Sequence, residues 1–289
     1  MVKKRNRDVE QLVDAPSIRE DVEIASDDEM NVVNVEFEWF NFKPDIDFHG
    51  VKNLLRQLFD VDFQLFELSC LTDLVLSQPT IGSTVKVEGE KTDAYAMMTI
   101  LNLHEHREKK VIQDIIKYLL EKSNSSRDLA PLATHLSDST AQIGLVLSER
   151  LINVPAEIAP PLYTMLCDEI EAAVEDQEPY NFTHYMILTK TYQEIESTLD
   201  ESDEPKIKKN KREKTTCDTF YFHAEDEVFK KYASVFGTFD YTNDRGLGMA
   251  DSKRAFSDMG IKPQGAISLI ERSKFEDAVK AVNGLVAFS

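Results

Sequence analysis

The sequence predicts one α/β domain built on a mixed, largely antiparallel sheet with helices on both faces. Two observations lead there. Alternating or short continuous apolar runs recur along the chain, as in VVNVEFEWF, IGLVLS and AISLI, and these mark half-buried and fully buried strands. Between them lie segments whose apolar residues return every three to four positions, the spacing of a helix with one buried face. The 289 residues, 42% hydrophobic and 29% charged, suffice for a core of that size.

Residues 1–30 are expected to be a disordered leader, basic at 3–7, with nine acids against one base over 8–29. The domain, 31–289, opens where Val33, Val35, Phe37 and Trp39 alternate with Asn34, Glu36 and Glu38, a strand pattern. Val51, Leu54, Leu55, Leu58 and Phe59 then predict a helix with Asp47 as its cap, and Leu65, Phe66, Leu68 and Leu71 continue the helical spacing. TIGSTVKVEG and AYAMMTILNL read as paired strands across the polar turn GEKTD. An amphipathic helix is expected from His106 to Lys122, a short one near Leu132, and a buried strand at IGLVLS. Pro160-Pro161 starts a helix that runs to Glu178, and NFTHYMILTKTYQEI is a further strand. After a charged loop at about 198–216, TTCDTFYFHAEDEVFKKYA gives a strand and a short helix. VFGTFDY is another strand and AISLIERSKFEDAVKAV a last strand–helix pair.

Charge is distributed unevenly. The formal net charge is −19, yet residues 206–214 carry +5 and residues 3–7 carry +4, which leaves −28 on everything else. So acidic a body repels nucleic-acid phosphates and anionic membrane surfaces, and basic proteins are its electrostatically natural partners. Neither direct nucleic-acid binding nor membrane insertion is expected. No apolar run approaches the roughly 20 residues a bilayer requires, and no apolar segment follows the basic N-terminus as in a signal peptide. Three widely spaced cysteines, Cys70, Cys167 and Cys217, suit a reducing compartment. The sequons at Asn124 and Asn181 are accordingly expected to stay unglycosylated.

Two segments stand out as binding candidates. Lys206, Lys208, Lys209, Lys211, Arg212 and Lys214 form a basic run between two strand candidates. Lys208-Lys209-Asn210-Lys211 fits the K-K/R-x-K/R pattern that nuclear import receptors bind in acidic grooves, and Lys4-Arg5-Asn6-Arg7 fits it again. The helix ending at Glu178 carries Asp168, Glu169, Glu171, Glu175, Asp176 and Glu178, with no base after Tyr163. Exposed helices ordinarily mix signs to gain i,i+4 pairs, so this face is a candidate docking surface for a Lys/Arg-rich partner, or else simply a solvated one.

Chemistry is sparse. His104 and His106 offer an H-x-H fragment, but two ligands do not close a zinc site. His223 lies beside Glu225 and Asp226, which suits either a carboxylate-poised histidine or acids favoured by a helix dipole, the latter preferred. Asn243 to Gly248 spells x-x-x-G-x-G after a strand. Acetyl-CoA enzymes of the GNAT superfamily use a comparable turn, but theirs begins with Gln or Arg, and a surface loop is the stronger reading. No catalytic residue, cofactor or metal ligand is predicted; an acetyl-CoA-dependent acyltransferase is the alternative.

Six blocks together resemble the BCCIP family, whose yeast members are called BCP proteins. They are VNVEFEWF, DFHGVKNLLRQLF, IGSTVKVEGEKTDAYAMMTILNL, LVLSERLINVPAEIAPPLYTMLCDEI, YNFTHYMILTK and FYFHAEDEVFKKYA, spanning roughly residues 31 to 232. The resemblance implies a GNAT-like fold without established acetyl transfer. It also implies a nuclear adaptor and chaperone that shuttles to the cytoplasm and meets import and export receptors. Its expected client is a basic ribosomal protein, in large-subunit biogenesis and nuclear protein export.

Overall fold

The computed structural model describes residues 35–138, 140–194, 219–243 and 261–286. In chain order the elements are β1 (Phe37–Asn41), α1 (Pro44–Phe59), α2 (Leu68–Leu76), β2 (Ser83–Val87), β3 (Ala96–Asn102), α3 (Lys110–Ser125), α4 (Ala130–Ser137) and β4 (Ile143–Arg150). Then come α5 (Ala159–Glu175), β5 (His184–Glu194), β6 (Thr219–Tyr221), α6 (Ala224–Tyr232), β7 (Val235–Phe239), β8 (Ile261–Glu271) and α7 (Arg272–Val286). The eight strands form one sheet in the order β1-β2-β3-β4-β5-β8-β7, with β6 also paired to β5. Among the described residues only β4 and β5 run parallel, joined by the α5 crossover. The sheet is therefore mixed and largely antiparallel, as its sequence patterns predict.

Period-two alternation sorts the strand residues into two apolar layers. Met97 and Leu101 of β3, Leu145 and Leu147 of β4, Met186 and Leu188 of β5, and Ile267 and Leu269 of β8 pack under α1–α4. Met98, Ile100, Val146, Tyr185, Ile187 and Ile270 point the other way, under Leu162 and Tyr163 of α5, Phe229 of α6 and Phe275 of α7. Because both faces are covered, the central strands read as nearly continuous apolar runs.

Several boundaries differ from the sequence reading. The first strand begins at Phe37, and Val35 before it is exposed. The first helix begins at Pro44, so Asp47 lies inside its first turn and Lys43 occupies the cap position. Asp47 still serves the helix start, because its Oδ2 accepts the Lys43 backbone N–H at 2.7 Å. Its Oδ1 meets Lys86 Nζ at 2.6 Å, and both side chains are fully buried. Residues 103–109 form turns, and α3 starts only at Lys110. The helix read as 161–178 is α5, which ends at Glu175 and is stopped by Gln177 at φ 62°.

The acidic leader at 8–29, the basic stretch at Lys3–Arg7, and the glycine turn from Asp244 to Gly248 lie outside the described residues. So do Lys206, Lys208, Lys209, Lys211, Arg212 and Lys214.

Candidate functional site

The parallel pairing of β4 with β5 runs from Ile143↔His184 to Leu147↔Leu188 and then stops. Beyond it, β6 takes the same edge of β5, from Thr191↔Tyr221 to Gln193↔Thr219, while β4 stays with β3 through Arg150. The sheet forks at this point. Glu149 and Arg150 of β4, Thr189 and Lys190 of β5, His223 at the start of α6, and Glu225 and Asp226 in its first turn gather in the fork.

Alternation assigns these groups to opposite faces. On the α1 side, Lys190 Nζ sits 2.6 Å from Glu149 Oε2, and Gln57 of α1 donates to Glu149 Oε1 at 3.1 Å. On the α6 side, Arg150 grips Glu225 through both terminal nitrogens, and the Thr189 hydroxyl donates to Asp226 Oδ2. His223 joins the two sets through the gap in the sheet. Its Nε2 is 3.4 Å from Glu149 Oε1, and its Nδ1 is 3.9 Å from Asp226 Oδ2. Glu149, Lys190, His223, Glu225 and Asp226 are all buried.

The cluster's electrostatics follow from burial opposed by partners. Burial alone would raise the Glu149 carboxyl, but the His223 hydrogen bond and the Lys190 charge outweigh it and hold it below the usual carboxylate range. Burial would lower His223, yet its hydrogen bond to Glu149 and the charges of Asp226 and Glu225 raise it. For Asp226 burial prevails, pushing its carboxyl up to about 7 despite the His223 charge. Arg150 is raised, because Glu225 overcomes the desolvation. Three acids thus face three bases, and the charges balance only when His223 is protonated and Asp226 ionised. Both sequence readings of His223 hold at once: it begins a helix, and it is poised between carboxylates. What the sequence reading missed is Glu149 and Lys190. Their signal was a charged residue at an inward position of an apolar strand, in LVLSER and ILTK.

The acidic helix separates into two kinds of residue. Asp168, Glu171, Glu175 and Asp176 are exposed. Glu169 is not, which corrects its placement on the docking surface. Its Oε2 accepts the Gly82 N–H at 2.8 Å and its Oε1 the Ser83 hydroxyl at 3.3 Å, tying α5 to the start of β2. Gly82 has φ 108°, and a Cβ there would fall 2.2 Å from the Phe42 ring, so only glycine presents that N–H. Glu178 is half-buried and accepts from Thr80 Oγ1 at 2.8 Å, so it too is partly a tether. On the neighbouring α7, Lys280 pairs with Glu276 and Asp277 of its own helix. Cys167 sits between these helices, its thiol pushed up to about 12 by burial and by Asp168, Glu276 and Glu171.

His104 is exposed, and burial and Lys109 lower His106. Among the described residues no group of three or more His, Cys, Asp or Glu side chains could hold a metal ion. Among the same residues no helix is long and apolar enough to cross a membrane.

The comparisons with known proteins agree with one another. The BCCIP family model matches residues 32–229. The chain is similar to Protein BCP1 of Gibberella zeae, 57% identical over 284 residues and covering 98% of each chain. It is also similar to Protein bcp1 of Aspergillus fumigatus, 54% identical over 262 residues and 90% of each chain. Protein bcp1 of Schizosaccharomyces pombe is 43% identical over 251 residues, covering 86% of this chain and 88% of that one. The crystal structure of BCP1 from Saccharomyces cerevisiae superposes with a TM-score of 0.60 at 26% identity, covering 89% of this chain and 93% of that chain. None of these names is an enzyme's. With a family model spanning most of the folded residues and relatives aligned nearly end to end, the chain belongs to the BCCIP family.

Proposed function

We propose that the protein is a nuclear, non-enzymatic acidic adaptor and chaperone. In this reading it binds a basic ribosomal protein, keeps it soluble until delivery in large-subunit biogenesis, and takes part in nuclear protein export. The observation that carries the reading is the exposed carboxylate row of α5, Asp168, Glu171 and Glu175, continued by Asp176 just past its end, on a body of strongly negative charge. A ribosomal protein rich in Lys and Arg lacks its RNA counter-charge before assembly. A carboxylate surface substitutes for phosphate, speeds encounter by long-range attraction, and yields later to the denser charge of RNA. The basic segments at 3–7 and 206–214 supply nuclear import in the same reading. The packed ion pairs in the sheet fork support a non-enzymatic role, since Glu149, Lys190 and His223 fill the place where parallel strands diverge.

The test is affinity purification from nuclear extract with identification of the captured proteins. Basic ribosomal proteins are expected, with capture weakening as salt shortens the Debye length to about 8 Å and below. Reversing Glu171, Glu175 and Asp176 to Lys is expected to slow association while leaving the melting temperature nearly unchanged. Capture of no basic protein, or capture indifferent to both salt and reversal, overturns the reading.

A further inference from the structure

The sheet ends at β1. This strand pairs with β2 from Phe37↔Val87 to Asn41↔Ser83 and, among the described residues, with nothing on its other side. An edge strand offers alternate backbone N–H and C=O groups to any extended chain, and proteins commonly guard such edges with charge. Here the guards share one sign. Glu38 is exposed on the strand, Glu36 just before it and Glu88 just past the end of β2, while Lys43, two residues beyond the strand, is paired with Glu90. The residue directly opposite Glu38 is Lys86. That lysine does not answer the edge, because its ammonium is held by Asp47 Oδ1 and the Glu90 carbonyl, each at 2.6 Å. On the other face of β1, Phe37 and Trp39 are half-buried and present ring surface beside the edge.

We infer that the free edge of β1 accepts an extended, Lys/Arg-bearing segment of a protein partner as a ninth strand. This rests on the proposed function and specifies how the client is held. Added strands gain affinity from main-chain hydrogen bonds and specificity from alternate side chains. The alternation of β1 sets the partner's pattern: bases opposite Glu36 and Glu38 on one face, apolar residues beside Phe37 and Trp39 on the other. Charge also decides against a second copy of this chain. Pairing β1 with β1 in full antiparallel overlap sets Glu38 diagonal to the Glu38 of the other copy, a like-charge approach with no base on the strand to answer it.

The chain contains a single tryptophan, Trp39, and it lies on this strand. Its emission is therefore a built-in reporter. The full-length protein is titrated with an alternating Arg-Val peptide, with an Arg-Pro peptide of equal charge that lacks half the backbone donors, and with a Glu-Val peptide. The expected result is a saturable Trp39 shift with Arg-Val only. In the E36K/E38K variant, Arg-Val affinity is expected to fall more than about tenfold, and Glu-Val is expected to bind instead. That exchange of partner excludes mere misfolding of the variant. Equal binding of Arg-Pro, or Arg-Val binding unchanged by the double reversal, overturns the inference. Nuclear-extract capture, run in parallel on E36K/E38K, separates the two readings. If wild type captures basic proteins while both peptide controls fail, strand addition falls and the chaperone reading stands. If wild type binds Arg-Val as expected yet captures no basic protein, the chaperone reading falls and edge recognition stands.

Discussion

Replacing Asp226 by Asn is expected to flatten the pH dependence of stability. Asp226 is 3% exposed, and its carboxyl titrates near 7 where an ordinary aspartate titrates near 3.8. A carboxyl raised in the folded state holds a proton that the unfolded chain has already released. It therefore contributes stability at low pH that is lost as pH climbs towards 7. His223 is raised as well, so its contribution is complete below about 6.5 and declines as pH rises through its folded value. Both groups act in the same direction. The limiting slope for one proton is about 1.4 kcal/mol per pH unit, and three units of displacement make the Asp226 contribution of the order of 4 kcal/mol. Asparagine keeps an acceptor for the Thr189 hydroxyl and never ionises. It also removes the nearest α6 charge that favours protonated His223, so both slopes shrink together. The assay is urea unfolding at pH 5, 6, 7 and 8 followed by circular dichroism, with m checked for constancy. His106 and His184, both lowered by burial, gain stability with rising pH, but they do so in both proteins and cancel in the difference. The variant is expected to gain on wild type steadily from pH 5 to 8. A difference that stays constant across that range, or one that shrinks, refutes the account of the fork.

The remaining expectations concern other buried charges and the basic segments. Lys86→Met strands Asp47 uncompensated and should cost about 3–5 kcal/mol in urea unfolding, whereas the double change K86M/D47L should recover most of that loss. Glu169→Ala removes the acceptor of the Gly82 N–H and Ser83 hydroxyl and should cost about 1–3 kcal/mol without changing the capture of basic proteins, unlike reversal of the exposed Glu171, Glu175 and Asp176. Ala replacement of Lys208, Lys209, Lys211 and Arg212, together with neutralisation of the 3–7 stretch, should move a fluorescent fusion towards the cytoplasm. Unchanged nuclear accumulation would dispose of the import role.

The central strands were legible because burial on both faces imposes apolar residues that no other constraint contests: IGLVLS, YMILT and ISLI each became a strand. Amphipathic helices were legible for the same reason. Their ends were not, because ends are decided by capping contacts made across the fold. Asp47 shows this, since its carboxylate serves a helix start four residues upstream while answering Lys86 on β2. The sequence groups Glu169 with the surface acids Asp168 and Glu171, and nothing local reveals that its side chain faces Gly82. The ionic fork was illegible because its members come from β4, β5 and α6, and only the point where β4 leaves β5 brings them together. His223 alone announced itself, through the acids that follow it.

The way His223 threads the fork has a consequence for vectorial synthesis. Arg150 and Glu225 are 75 residues apart, Thr189 and Asp226 are 37 apart, and Gln57 and Glu149 are 92 apart. A nascent chain extending only to residue 218 possesses Glu149, Arg150, Thr189 and Lys190 but none of their α6 partners. The apolar surface of five strands and five helices cannot close over an unanswered Arg150 without the cost of burying a lone charge. The β4–β5 pair is therefore expected to stay open to protease in ribosome-stalled chains ending at 218 and to become resistant only once α6 has emerged. The fork acts as a late-closing clasp, making the last quarter of the polypeptide a condition for consolidating its middle.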